Sequence, residues 1–389
     1  MTRYAQTPYR LTIPARINLL GNPTDACEGD FAVLSAAVDL YAGALIEPCG
    51  EWALEEWERS GDGFRVVRRY AFAPSDLPLR YDGALDLAKG ALNRLCGHSG
   101  ELRERLTRRG FRLALWSDVP RQSGLGGSSL FVLLTLAALR AFYALDPRQH
   151  HDYLLAELAQ RVEAQEMGIA CGFADRYVPL FGGLAYLDCR GKLHQQAIGA
   201  EPFATYERLD SWVDDLPLVV ISTGLAHDSG NVHGCLRPHY LAEHERWTER
   251  AGPPPPMVRW MSAVWETAWR GKIALLARDW VAFGALMDEN HRLVDEMMTC
   301  CGFPEGVGQV NNLLIAAAKR YGALGAKLTG AGGGGSVFAL TRPGEEGALA
   351  EAWQRVAADA GLTAARVFRP RLSGQGLVVT EAESKEAGL

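Results

Sequence analysis

The chain has 389 residues, 48% of them hydrophobic and 22% charged, with a formal net charge of −6. Such a length suits two ordinary domains better than one core, and the mild acidity gives no general field for nucleic acid or an anionic membrane. The balance of apolar and charged residues excludes a disordered chain, which leaves an enzyme or a binding protein.

In chain order, LTIPARINLL and FAVLSAAVDLYAGALI read as strands separated by the turn-rich GNPTDACEGD. An acidic, aromatic-rich stretch over 50–82 reads as a solvated hairpin. Residues 84–95 carry helical spacing, and FRLALWSDVP is a strand ending at a proline. A glycine-rich turn then leads into a strong helix, SLFVLLTLAALRAFYAL. A second helix stops near Gly168, followed by a loop, CGFADRYVP, and the strand GGLAYLDCR.

LPLVVIST reads as the buried strand that opens a second unit, with the boundary placed in 190–215 and the domains expected over 1–200 and 201–380. HDSGNVHGCLRP reads as a polar loop. Four prolines at 253–256 make a stiff connector. Two long helices follow over 257–279 and 281–298, then NNLLIAAAKRYG as a helix, SVFAL as a strand, a further helix and a final strand. This mixture lacks regular βαβ alternation and predicts an α+β fold.

The eight cysteines are scattered without a C-x-x-C pair, which suits reduced thiols of a cytoplasmic protein. MTRYAQTPYR has no apolar stretch of a signal peptide, and the longest apolar run, 130–139, is too short to span a bilayer.

PRQSGLGGSSLFVLL is the most informative segment. Gly124, Gly126 and Gly127 remove side chains where backbone must curl closely, and Ser128 and Ser129 are placed to cap the helix that follows. The free N–H groups at a helix start make an anion site. On spacing alone, the segment reads equally as a phosphate loop or as a tight turn with an ordinary serine cap. It is no Walker A loop, since no G-K-[ST] follows. LTGAGGGGSVFAL contains G-x-G-x-x-G but runs into a strand, so a dinucleotide fingerprint fails on context.

Phosphoryl transfer to a hydroxyl needs oxygen ligands for a metal and a group to hold the hydroxyl proton. Ser128, Glu163 and Asp175 could supply them, although each carboxylate by itself reads as a surface charge. Arg16 is a charge inside a buried strand and calls for an acidic partner such as Asp175. His227, His233, Cys235, His239 and His244 fall close together, but in no zinc-ligand spacing.

PARINLLGNPTD, PRQSGLGGSSLFV and KLTGAGGGGSVFAL, in this order, resemble the three motifs of the GHMP small-molecule kinases. The resemblance covers about residues 8–375. It implies an N-terminal domain like ribosomal protein S5 domain 2, a ferredoxin-like C-terminal domain, and ATP with Mg²⁺ bound between them. GNPTD, GIACGFADRYVPLFGGLAYLD and HDSGNVHGCLRP make the chain most similar to the glucuronokinase branch. That similarity implies a sugar acid, D-glucuronate, phosphorylated on its anomeric hydroxyl.

By the same resemblance, Pro120, Gln122, Ser123, Gly124, Leu125, Gly126, Gly127, Ser128 and Ser129 would bind ATP. Ser128 and Glu163 would hold the metal, and Asp175 and Arg16 would be catalytic. Asp25, Asp175, Arg176, Arg237, Gly332 and Gly333 would meet the sugar, with Arg176 or Arg237 opposite its carboxylate. Gly127 departs from the pattern, since most members have a serine there. The alternatives are another sugar kinase of the family, including a heptose 7-phosphate kinase, and a non-catalytic sensor of ATP and sugar.

Overall fold

The computed structural model describes residues 7–120, 122–192, 196–225, 229–249, 252–330 and 334–382. YRLTIPARINLL forms β1 (Tyr9–Leu20), buried at every position from Ile13 onward, Arg16 and Asn18 included. β1 pairs antiparallel with the long β2 (Ala32–Cys49), and the register shifts between Pro14 and Ala15, where proline has no N–H for the ladder. Beyond that break β2 changes partner. Ala32–Ala36 pairs with β6 (Leu184–Asp188), and Ala42–Cys49 pairs with β5 (Gly110–Ser117).

The 50–82 stretch forms a hairpin, β3 (Trp52–Ser60) and β4 (Gly63–Phe72), but not the solvated one expected: β3 lies parallel to β5 and is buried from Ala53 to Trp57. β7 (Thr205–Arg208) extends the sheet from β6, and β12 (Val378–Glu381) closes it against β1. Helices α1 (Asp86–His98), α2 (Gly100–Leu106), α3 (Gly127–Phe142), α4 (Asp152–Arg161) and α5 (Ala174–Phe181) accompany this sheet. α3 packs on β1, β2 and β5 and also on α1, α4 and α5, which is why its sequence is apolar nearly all round.

The second half runs β8 (Leu218–Ser222), α6 (Ser229–Thr248), α7 (Pro256–Leu276), α8 (Trp280–Cys300), α9 (Gln309–Arg320), β9 (Gly325–Leu328), β10 (Ser336–Leu340), α10 (Glu346–Asp359) and β11 (Arg366–Phe368). Its antiparallel sheet has the order β11-β8-β10-β9, the ferredoxin-like order, with α6, α7 and α8 inserted after the first strand. The two-residue period of a strand divides β8 and β10 between two cores. Val219, Ile221, Val337 and Ala339 face Leu314 and Trp353 of α9 and α10. Leu218, Val220, Phe338 and Leu340 belong to the apolar core of the first sheet.

Three further segments differ from the sequence reading. The loop expected around Asp175 is α5, because Asp25, far away in sequence, supplies the carboxylate that its first N–H groups need. The polar loop HDSGNVHGCLRP is helical from Ser229 onward. Val232, Leu236 and Tyr240 there form an i, i+4, i+8 stripe against Met257 and Met261. Ser128 and Ser129 do not cap α3. Gly126, at φ +90°, takes that position and places both serines in the first turn.

α8 crosses β9 with backbone almost touching backbone: a Cβ built on Gly325 would lie 2.2 Å from the Gly284 carbonyl oxygen. Gly325→Ala is therefore expected to lower stability by about 1–3 kcal/mol. The check is a lower urea-unfolding midpoint with unchanged far-UV circular dichroism.

Candidate active site

Arg16 and Asn18 stand two residues apart on β1 and so project from the same face. Arg16 Nε donates to Asp175 Oδ1 at 2.6 Å and its Nη2 donates to Oδ2, a bidentate pair. Its Nη1 donates to the Gly124 carbonyl at 2.5 Å. Asn18 Nδ2 adds a bond to Asp175 Oδ1 at 3.2 Å, and Ser35 Oγ donates to Asn18 Oδ1 at 2.6 Å, which fixes the amide. Burial pushes the Asp175 carboxyl upward, but the Arg16 charge and hydrogen bonds, with Arg176 and Asn18, outweigh it and hold the group well below the usual carboxylate range. A quarter of the Asp175 side chain stays open to a cavity of about 250 Å³.

The loop before α3 forms another wall of this cavity. Gln122, Ser123, Gly124, Gly126, Gly127, Ser128 and Ser129 all line it, so the N-terminus of a 16-residue helix ends there. Gly330, from the third glycine-rich segment, also lines the cavity. A Cβ on Gly330 would lie 2.9 Å from Gly124 Cα, so side chains on these two positions would separate the two segments. Ser123 Oγ is buried with no hydrogen-bond partner among the described residues. Unpaired N–H groups, the helix dipole and a spare hydroxyl together favour an anion. Pro120 and Leu125 do not line the cavity among the described residues, although the Leu125 carbonyl accepts the Arg16 backbone N–H at 3.4 Å.

Glu163 and Arg176 complete the lining. Glu163 sits in a π-helical turn, Val162–Glu166, that continues α4. Arg176 Nη2 lies 2.6 Å from Glu163 Oε1, an ion contact out of hydrogen-bond alignment, so Oε1 is buried without a hydrogen bond. Glu163 and Ser128 both line the cavity, and a carboxylate and a hydroxyl are hard donors of the kind a magnesium ion takes. Arg176 also donates to the Gly172 carbonyl at 2.9 Å, while its Nε is buried without a partner.

Asp25 faces the same space. Its Oδ2 accepts the N–H groups of Phe173 and Ala174, both at 2.9 Å, which pins the first turn of α5 and hence Asp175. Gly172 allows this approach, since a Cβ there would lie 2.2 Å from Asp25 Oδ2. Burial raises the Asp25 pKa and the Asp175 charge adds to this, against the two N–H bonds and Arg176. The Cys171 thiol, also in the lining, is pushed up to about 12 by burial and stays neutral.

Arg237 does not reach this cavity. It lies one turn beyond His233 on α6 and donates to Glu28 Oε1 at 2.8 Å. His233 does line it, as do Asn18 and Asn22, which sequence reasoning had not singled out for the site. Asn18 carried the same signal as Arg16, a polar group in a buried strand. Gly332, Gly333 and His227 lie outside the described residues.

The glycine-walled loop before α3 and the buried Arg16–Asp175 pair thus open into one cleft. Residues 86–183 match the GHMP kinases N terminal domain and residues 272–359 match GHMP kinases C terminal. The chain has the two-domain GHMP kinase fold. Glucuronokinase 1 of Arabidopsis thaliana is 26% identical over 344 residues, 87% of this chain and 86% of that protein. The galactokinase of Streptomyces coelicolor is 28% identical over 384 residues, 91% of this chain and 90% of that one. Among solved structures, Lactococcus lactis galactokinase complexed with galactose superposes with a TM-score of 0.71 at 20% identity, covering 96% of this chain and 95% of that one. No helix among the described residues is long and apolar enough to cross a membrane.

Asp175→Asn leaves Arg16 buried against a neutral amide and is expected to cost on the order of 3 kcal/mol at pH 7, the lower end for a broken buried pair. The folded-state pKa of Asp175 is depressed, so its contribution is present above the ordinary value of 3.8 and is lost as pH falls below it. Urea unfolding at a series of pH values should show a constant gap between the two proteins from neutrality to about pH 5, narrowing below it.

Proposed function

We propose that the protein is an ATP- and Mg²⁺-dependent sugar kinase that phosphorylates the anomeric hydroxyl of D-glucuronate to give the 1-phosphate. What carries this reading is the single cavity into which the N-terminus of α3 and the Arg16–Asp175 pair both open. The nucleotide phosphates would lie on the loop from Gln122 to Ser129, with the Ser123 hydroxyl and helix N–H groups as donors. Ser128 and Glu163 would hold magnesium, which supplies charge neutralisation at the phosphate oxygens.

The acceptor hydroxyl would meet Asp175. A carboxylate held so low is a weak proton store, so its main work is to accept the hydroxyl's hydrogen bond and orient its oxygen for attack. The oxygen–phosphorus bond forms as the bond to the ADP oxygen breaks, and the proton leaves through Asp175 to solvent. Arg16, reaching both Asp175 and the Gly124 carbonyl, is placed to offset charge on the transferred group.

The glucuronate assignment draws support from the Arabidopsis relative and from Arg176. A sugar carboxylate taken into a cleft needs a cation, and Arg176 is in the lining with one N–H unused. Asp25, in the same lining, would take sugar hydroxyls.

The test is ADP release with D-glucuronate, D-galactose and a phosphorylated heptose as acceptors. Release with glucuronate is the expected result; release only with another sugar corrects the substrate, and release with none removes the kinase reading. Asp175→Asn should lower kcat by roughly 10²- to 10⁴-fold with ATP binding retained. Arg176→Met should raise KM for glucuronate far more than for a neutral sugar. An equal rise takes Arg176 out of the carboxylate role.

A further inference from the structure

Lys327, the first residue of KLTGAGGGGS, is wholly buried, and among the described residues no carboxylate lies within ion-pair distance of it. A buried amine without a counter-charge is costly, and burial with the Arg16 charge adding lowers its pKa to about 7. An apolar residue of the same length would fill the space at less cost. Instead Nζ donates to three neutral oxygens on three segments: Asn22 Oδ1 at 3.0 Å, the Asn18 carbonyl at 3.3 Å and the Leu328 carbonyl at 2.8 Å. The Phe338 ring completes the shell at 5.3 Å.

Two of those partners face the reaction space. Asn22 and Asn18 line the cavity, and Asn18 bonds Asp175. The loop that carries Asn22 is held from the same side a second time. Asn290 of α8 accepts the Gly21 N–H at 3.0 Å and donates to the Asn22 carbonyl at 3.3 Å. The backbone of loop 21–25 is thus fixed by α8 and its one inward-facing amide by β9, while Asp25 at its far end pins α5.

We propose that Lys327 is a positioning residue for the acceptor: through Asn22 it sets loop 21–25 against Asp175, so that the strand leading into the third glycine segment governs how the acceptor is held. This rests on the reading that loop 21–25 faces the acceptor and α3 faces the nucleotide.

The test is Lys327→Met, assayed with ATP and with whichever sugar of the panel the wild-type protein turns over. KM for the sugar should rise about tenfold, the scale of one lost hydrogen bond to a charged group, while KM for ATP stays within about twofold. Asn22→Ala should give a similar split, and the double variant should be no worse than Asn22→Ala alone. Equal losses toward both substrates, or additive losses in the double variant, would reduce Lys327 to a core filler and overturn the proposal.

If Lys327→Met does not fold by circular dichroism, Asn22→Ala, which removes the acceptor of the same hydrogen bond, is judged by the same ratio. Without turnover, the melting-temperature shift produced by D-glucuronate should be lost in the variant while the shift produced by ADP is kept. Wild-type turnover with no selective effect sinks the Lys327 proposal alone. A wild-type protein that neither turns over nor is shifted by any sugar of the panel sinks both readings.

Discussion

A guanidinium in the middle of a buried strand cannot be left without a counter-charge, and Arg16 is such a group. Its bidentate bond to Asp175 requires the first turn of α5 to stand directly over β1. Asp25 then serves that turn as its N-terminal acceptor, which brings the loop after β1 against the same helix. The Gly124 carbonyl, held by the third nitrogen of Arg16, draws in the loop before α3. Three segments far apart in sequence are positioned by the hydrogen-bonding demand of one side chain. In an enclosed cleft such bonds are also stronger than they would be in water.

A second constraint is steric. Gly124 and Gly330 approach with no room for side chains, so the loop before α3 and the second sheet's glycine segment meet through bare backbone. Lys327 and Asn290 make the corresponding contact on the other side of the cleft, through polar bonds. The two halves of the chain therefore share a site as well as an apolar core, and neither wall of the cleft is complete without the other half.

Much of this could be read from residue order alone. β1, β2, α3 and the strand SVFAL follow from their periodicity, and the pairing of Arg16 with Asp175 follows from a charge placed in a strand with no water near it. α5 and α6 could not be read in the same way. CGFADRYVP looks like a loop because its cap is Asp25, 149 positions from Ala174, and HDSGNVHGCLRP looks polar because only Val232 and Leu236 of the helix's apolar stripe fall within it. The capping role given to Ser128 failed for a local reason, since Gly126 can adopt the left-handed conformation there and serine adopts it at a cost. Arg237 and His233 are one helical turn apart, and no local pattern tells which of them meets the cleft.

The pairing of β12 with β1 has a consequence for synthesis. Thr380 reaches Arg10 across 370 positions, so the outer edge of the first sheet stays uncovered while all the intervening residues are made. Until then β1 presents a row of unpaired backbone groups on a nascent protein, open to capture by any other extended chain. Chaperone dependence and aggregation during expression should accordingly track the presence of β12 more closely than the integrity of the cleft.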